Sequence, residues 1–336
     1  MPKPPPTKLK DMMKKEQTHK VLLLILFARI CIITDVFYPM KRGMTMFDLH
    51  HIKGNTYYYK AYTNVGVYLL ENNEVILIDA CDHKRMVRGL DRLITENGWT
   101  VKTIIDTHCH VDHICGNRYF YDKYNCRILS TKMEQGFISY PDLEPKFYYS
   151  GIDTDKTKNP FFLVEPSDSE IITAENTPDG FKIIPLPGHS FEMIGVRTPD
   201  NVVFLADAVL SQKTVDEYKL PFFYNVNESI ETLHNIIDMK ADWFVPSHSE
   251  VTTEIAPLCE HNIKAMKNIK ELVYEICEGR SFDDMFCVLM DKLELTIKSE
   301  KYPMYSNMLR NYLQSLVEDE RIYARLDGAR FIYAHR

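Results

Sequence analysis

The chain has 336 residues, more than one compact domain usually holds, so one large domain with an appendage is expected. A hydrophobic share of 45% is ample for a buried core, and a net charge of −7 offers no positive footprint for nucleic acid. The eight cysteines are scattered without a spacing pattern, which argues against a disulfide framework and for a reducing compartment, so a cytoplasmic location is expected.

Residues 2–20 are rich in Pro and Lys, and residues 21–33 (VLLLILFARICII) form an apolar run. The pair has the form of a signal peptide or a short anchor. Against that, Arg29 interrupts the run, the run falls short of the roughly 20 residues of a membrane helix, and no Ala-x-Ala site follows. Residues 1–43 are therefore read as an N-terminal extension, with the natural start expected at Met44 or Met46. Membrane contact is expected only if residues 21–33 act as an anchor.

From Phe47 the pattern turns to strands. Tyr57–Tyr59, Asn64–Leu70 and Val75–Ile78 predict a meander with a turn at Glu71–Asn73, and its last strand finishes in Asp79. Residues 83–97 are spaced as an amphipathic helix (Met86, Leu90, Leu93, Ile94), closed by Asn97-Gly98. Val101–Ile105 is a β-branched, apolar run that predicts a buried strand, and it leads directly into Thr107-His108-Cys109-His110-Val111-Asp112-His113. Three histidines and an aspartate in six residues, at the end of a buried strand, are good zinc-type ligands where α/β folds build their sites. Alternate residues of a strand face opposite ways, so a tight turn is needed to aim His108, His110, Asp112 and His113 at neighbouring points.

Further on, a helix over 117–124, a strand over 126–129 and a helix over 131–137 are expected. Residues 138–175 break the pattern with five prolines or glycines among Phe147, Tyr148, Tyr149, Phe161 and Phe162. So long a loop is expected to act as a substrate lid, or else as a dimer contact or surface packing. Strands are predicted near 181–186, 192–197, 202–206 and 242–246, and a helix near 228–239. Three of these segments end in further ligand types: Leu186-Pro187-Gly188-His189-Ser190, Leu205-Ala206-Asp207 and Val245-Pro246-Ser247-His248. A second aromatic stretch, Leu220-Pro221-Phe222-Phe223-Tyr224, follows Asp207 and is expected to line the same pocket. Residues 260–336 predict three helices (260–278, 282–293, 303–319) and a hairpin turning at Leu326-Asp327-Gly328-Ala329, a winged-helix-like module. Twelve basic against thirteen acidic side chains there provide no phosphate-neutralising face, so packing or homodimerisation is expected rather than nucleic-acid binding.

Four apolar strands each finishing in a metal-type ligand, in this order, resemble the metallo-β-lactamase-fold hydrolases, the glyoxalase II-like branch included, over roughly residues 46–255. The resemblance implies an α/β fold, an αββα sandwich over residues 44–258 with the ligands on one edge, followed by the C-terminal module at 259–336. It implies that His108, His110 and His189 hold one ion, that Asp112, His113 and His248 hold a second, and that Asp207 bridges them. Asp112 and Asp207 are the residues it assigns to catalysis. Asp79 is expected either to orient a ligand imidazole or to cap its strand. Cys81, Cys109 and Cys115 match no ligand position and read as packing residues. Two zinc ions are the expected cofactors, with iron or manganese as alternatives.

The function so implied is a metal-dependent hydrolase in which a metal-bridging hydroxide cleaves a small-molecule ester, thioester, lactone or phosphoester. The alternatives are a mononuclear iron sulfur (persulfide) dioxygenase and a non-catalytic nucleic-acid-binding regulator acting through the C-terminal module.

Overall fold

Period-two patterning with both faces apolar produces strands buried on both sides, and such strands need cover on both sides. The computed structural model describes residues 47–148, 164–299 and 301–336. The expected extension 1–43 lies outside the described residues, as do Tyr149, Phe161 and Phe162. Among the described residues no helix is long and apolar enough to cross a membrane.

The first sheet has seven strands in spatial order β1 to β7: β1 Leu49–Lys53, β2 Thr56–Tyr59, β3 Val65–Leu69, β4 Glu74–Ile78, β5 Thr100–Ile105, β6 Arg127–Ser130 and β7 Glu170–Ile171. The meander β1–β4 is antiparallel, and β4, β5 and β6 run parallel. The second sheet has the order β11-β10-β9-β8, from β8 Lys182–Pro185, β9 Ile194–Arg197, β10 Val202–Ala206 and β11 Trp243–Pro246, with β10 and β11 parallel.

Alternation along single strands explains the layering. In β4, Ile76 and Ile78 join Ile105 and Leu129 against Val196, Val202, Phe204 and Val245 of the second sheet. Their neighbours Val75 and Leu77 face the other way, onto Leu90 and Ile94 of helix α1 (Lys84–Glu96) and Phe120. In β10, Val202 and Phe204 point into the space between the sheets, while Val203 and Leu205 pack outward on Leu233 and Ile236 of a helix over Val226–Ile237. Helix, sheet, sheet, helix is the expected αββα sandwich.

Helix α2 (Val111–Ile114) is a single turn made by the histidine motif itself, α3 spans Asn117–Tyr124 and α4 Lys132–Ser139. The stretch 138–175, expected as a loop, contains helix α5 (Leu143–Tyr148) and strand β7. Helix α6 (Gln212–Tyr218) begins at Ser211, whose side chain accepts from Thr214 N, and α7 is the helix over Val226–Ile237.

The C-terminal elements are α8 (Ala256–Cys277), β12 (Arg280–Ser281), α9 (Phe282–Lys292), α10 (Tyr302–Glu318), β13 (Ile322–Asp327) and β14 (Arg330–His335). Their sheet has the order β12-β14-β13, and Asp327 pairs with Arg330 across the expected two-residue turn. The C-terminal module of residues 259–336, expected to pack on the sandwich or to dimerise, falls with it in one compact unit, Phe47–Arg336. Met308, Leu309, Tyr312 and Leu313 of α10 share a single core with Val203, Leu205, Leu233 and Phe244. The outer face of the second sheet is too apolar to be left to α7 alone, and α8 begins before residue 258 to cover it.

That shared core makes a test. Leu309 is fully buried, so Leu309→Ala is expected to cost about 2–5 kcal/mol. Both tryptophans, Trp99 and Trp243, lie outside the C-terminal segment. Their fluorescence should report one unfolding transition, displaced as a whole; an unchanged tryptophan transition would mean two independent cores.

Candidate metal centre

Parallel strands in one sheet end on the same edge, and this edge collects the ligand-type residues. Asp79 follows β4, His108 stands two residues past Asp106 at the end of β5, Asp207 follows β10 directly, and His248 follows β11 after Ser247. His189 lies in the loop from β8 to β9. The chain must turn sharply where the carboxylates emerge. Asp79 (φ 65°) and Ala206 (φ 50°) both adopt left-handed backbone, at a cost of about 1–2 kcal/mol each for residues with a Cβ. The one-turn helix α2 supplies the tight turn the motif demands, with His110 at its N-cap and Asp112 and His113 inside it.

All seven residues named as ligands from the sequence come together, in two groups. His108, His110, His189 and Asp207 form one; Asp112, His113, His248 and Asp207 form the other; within each group the ligand-type atoms lie within 4.8 Å of one another. Asp207 belongs to both. Its Oδ1 is 3.3 Å from His113 Nε2, and its Oδ2 is 3.3 Å from His248 Nε2 and 3.4 Å from His189 Nε2. Asp112 Oδ2 lies 3.1 Å from His248 Nε2 and accepts from the Thr63 hydroxyl at 3.3 Å.

Asp79 serves both roles left open above. Its Oδ1 accepts from Thr107 N at 2.8 Å, joining adjacent strand ends, and its Oδ2 lies 2.8 Å from His113 Nδ1. By accepting from Nδ1–H, Asp79 turns His113 Nε2 toward Asp207. The Thr107 hydroxyl donates to Asp79 Oδ2 at 3.0 Å and lies 3.0 Å from His108 Nδ1. One buried carboxylate thus orients His113 directly and His108 through a hydroxyl. The Tyr62 carbonyl does the same for His248 Nδ1 at 3.0 Å.

Electrostatics sort the imidazoles. Burial holds His108 well below the usual histidine range and lowers His110 to about 4 and His189 to about 3, so all three are neutral, with a lone pair to offer. Burial alone would raise Asp112 and Asp207, but His113 and His248 beside them hold both carboxyls below the usual range. Burial would likewise lower His113 and His248, and the facing carboxylates override it. His108 Nε2, His113 Nε2, His189 Nδ1 and Asp207 Oδ1 are buried without a hydrogen-bond partner among the described residues. Buried imidazole nitrogens and a carboxylate oxygen left without partners on residues of these two groups are the chemistry a divalent cation satisfies.

Two supporting residues carried no signal in the sequence. Glu134 of α4 is fully buried; its Oε2 accepts from Cys109 N at 3.0 Å, and its Oε1 accepts from Ser190 Oγ at 2.7 Å and Glu192 N at 2.9 Å. It clamps the loop of His108 and His110 to the loop of His189. Gly188 (φ 122°) sits against α7, where a Cβ would come within 2.4 Å of Ser229 N. Only glycine fits both the backbone and the space. Cys81 and Cys109 are buried and burial pushes their thiols up, as suits packing residues. Over the first group stands Phe222, its ring 5.8 Å from His110 and 5.9 Å from His189.

Comparison with known proteins points the same way. The model of the metallo-beta-lactamase superfamily matches residues 61–248, from just before Thr63 to His248 itself. A hydroxyacylglutathione hydrolase of Prochlorococcus marinus (strain MIT 9312) is 25% identical over 164 residues, 45% of this chain and 56% of that protein. Another, of Nitrobacter hamburgensis, is 30% identical over 135 residues, 40% of this chain and 42% of that one. The chain thus spans about half the length of these two relatives. Among solved structures, a beta-lactamase domain protein from Burkholderia ambifaria superposes with a TM-score of 0.66 at 14% identity, covering 89% of this chain and 97% of its own, a likeness of fold.

Two substitutions test the supports. Glu134→Ala should weaken metal affinity about 10–100-fold, as loss of a group that orients ligands does, with Glu134→Gln recovering part of it; calorimetric metal titration checks this, and unchanged affinity in both would remove Glu134 from the site. Gly188→Ala should lower both Tm and metal content, because α7 and the His189 loop cannot both keep their places.

Proposed function

The chain belongs to the metallo-beta-lactamase superfamily; from that premise we propose that it is a metal-dependent hydrolase working with two zinc ions on a small-molecule ester or thioester. The observation that carries the reading is Asp207, one buried carboxylate common to two groups of ligand atoms. His108, His110 and His189 would hold one ion and Asp112, His113 and His248 the other, with Asp207 between them. Such ions lower the pKa of a water to near neutrality and stabilise negative charge developing on a substrate oxygen.

The protein's own groups do the rest. Asp79 and Thr107 keep His113 and His108 in the tautomers that present Nε2. The Thr63 hydroxyl and His248 hold Asp112 on the second group. Phe222 packs edge-to-face beside His110 and His189 and forms an apolar wall next to them. Nucleophilic serine or cysteine is not called for. The names of the two relatives, both hydroxyacylglutathione hydrolases, favour a thioester within the ester, thioester, lactone and phosphoester range. A mononuclear iron dioxygenase would need only one group of ligands, so the complete second group supports the dinuclear reading. The C-terminal module, with its near-neutral charge balance, is assigned to support rather than to nucleic-acid binding.

Elemental analysis of protein purified without added metal should find about two zinc per chain, one for each ligand group. His110→Ala should remove turnover while leaving the fold intact, and Asp207→Ala should reduce metal content and rate together. One iron per chain with oxygen uptake on a persulfide would replace this reading with the dioxygenase.

A further inference from the structure

The edge of a sheet presents unpaired N–H and C=O groups, and proteins blunt it with short strands, bulges, lysine, proline or a covering segment. The edges of the two large sheets follow this rule. β7 has two residues, β1 breaks register between His51 and Lys53, β8 begins at Lys182 and ends at Pro185, and β11 is bridged by Thr252, which pairs with Phe244. β13, at the edge of the C-terminal sheet, does not. It has six residues, keeps an unbroken register with β14, contains neither lysine nor proline, and is exposed at every position but Ile322. Among the described residues nothing pairs with its outer edge. Leu326 and Phe331, opposite each other near the tip of the hairpin, are 65% and 59% exposed.

The register decides which backbone groups point outward. Arg336 N donates to the Arg321 carbonyl at 3.0 Å, so that pair faces inward, and every second pair after it, Tyr323–Ala334 and Arg325–Ile332, does the same. The residues between them, Ile322, Ala324 and Leu326, therefore direct their N–H and C=O groups to the free edge. His335, opposite Ile322, agrees with this alternation, for its N–H points away from β13 and donates to Glu278 at 2.8 Å.

We propose that β13 pairs antiparallel with β13 of a second copy of this chain, about a two-fold axis at Ala324, joining two three-stranded sheets into one. Ala324 then faces Ala324, and Ile322 faces Leu326 in both directions, so all the outward backbone groups of the strand find partners. Leu326 of each copy comes beside Ile322 of the other, where the strand enters the buried core. On the opposite face Tyr323 meets Arg325, a cation–aromatic contact, and Arg321, already held by Glu271 at 2.6 Å, meets Asp327. The charges select this register. Sliding the partner strand by two residues one way sets Arg325 against Arg325, and the other way sets Arg321 against Arg325, and like charges directly opposite are destabilising. The pairing is independent of the chemistry at the metal centre.

Sedimentation velocity of the full chain at rising concentration should show a monomer–dimer equilibrium. Ala324→Pro removes one outward N–H and sets a ring on the free edge while leaving the β13–β14 hydrogen bonds in place, so it should weaken self-association about tenfold or more with an unchanged circular dichroism spectrum. Asp327→Arg, which sets two arginines face to face, repeats the test without touching the backbone. The register has its own check, made in a Cys287→Ser background that removes an exposed thiol. Ala324→Cys should form a disulfide-linked dimer on mild oxidation, because its α-carbons lie about 5.5 Å apart across the axis. Leu326→Cys should not, because its two copies stand beyond the roughly 7 Å a disulfide spans. A chain that stays monomeric at every concentration, a dimer indifferent to both Ala324→Pro and Asp327→Arg, or cross-linking at Leu326→Cys in preference to Ala324→Cys would overturn the proposal. Duplex DNA bound by the monomer and released by Arg325→Ala would overturn it as well, by giving the edge to nucleic acid.

Discussion

One carboxylate, that of Asp207, is the point on which the ligand loops converge. It is 5% exposed, and imidazoles from three separate loops approach its two oxygens within 3.4 Å. An anion so buried is tolerated only among positive charge or strong donors. That requirement ties together the ends of β5, β10 and β11 and the loop after β8, because each must deliver a side chain to the same few ångströms. Asp79 repeats the device one step outward. Its carboxylate joins two strand ends and, directly or through Thr107, sets the proton position on two of the imidazoles.

Support for the centre extends further than the sandwich. The aromatic stretch Leu220–Tyr224 has few backbone partners of its own, and α10 holds it: Asn311 Nδ2 donates to the Phe223 carbonyl at 2.7 Å, and Phe223 N lies 3.3 Å from Met308 Sδ. Phe222, next in the chain, packs beside two of the imidazoles. The C-terminal helices therefore fix one wall of the site without contributing a ligand. Lys270 of α8 strengthens the same junction, pairing with Asp319 at 2.6 Å and donating to Asn227 of α7 at 2.6 Å. The exposed ion pairs elsewhere, such as Arg92 with Glu96, count for little beside these packed contacts.

The layered fold was legible because burial on both faces leaves a local record. Val75, Ile76, Leu77 and Ile78 can all be apolar only if each face of β4 is covered, and Val202–Leu205 says the same of β10. The helices of the C-terminal part were legible to within a few residues for a similar reason, since each carries its own amphipathic stripe. Their shared core with the second sheet was not legible. An apolar stripe records that a partner exists and says nothing of which partner it is.

The same division runs through the site. Ligand chemistry sits in the residue types themselves, and a histidine or aspartate at the end of a buried strand stands out locally; read with its resemblance to the metallo-β-lactamase fold, the sequence placed the sandwich, its ligand-bearing edge and the seven side chains that converge there. Glu134 and Thr107 bear no such mark. A glutamate inside a helix reads as solvated until distant chain segments close over it, and whether it then meets three donors, as Glu134 does, depends on which loops arrive. Those roles, and the fusion of the C-terminal helices with the second sheet, were decided only by the tertiary structure, because hydrogen bonds and core contacts across dozens of residues leave no local period to read.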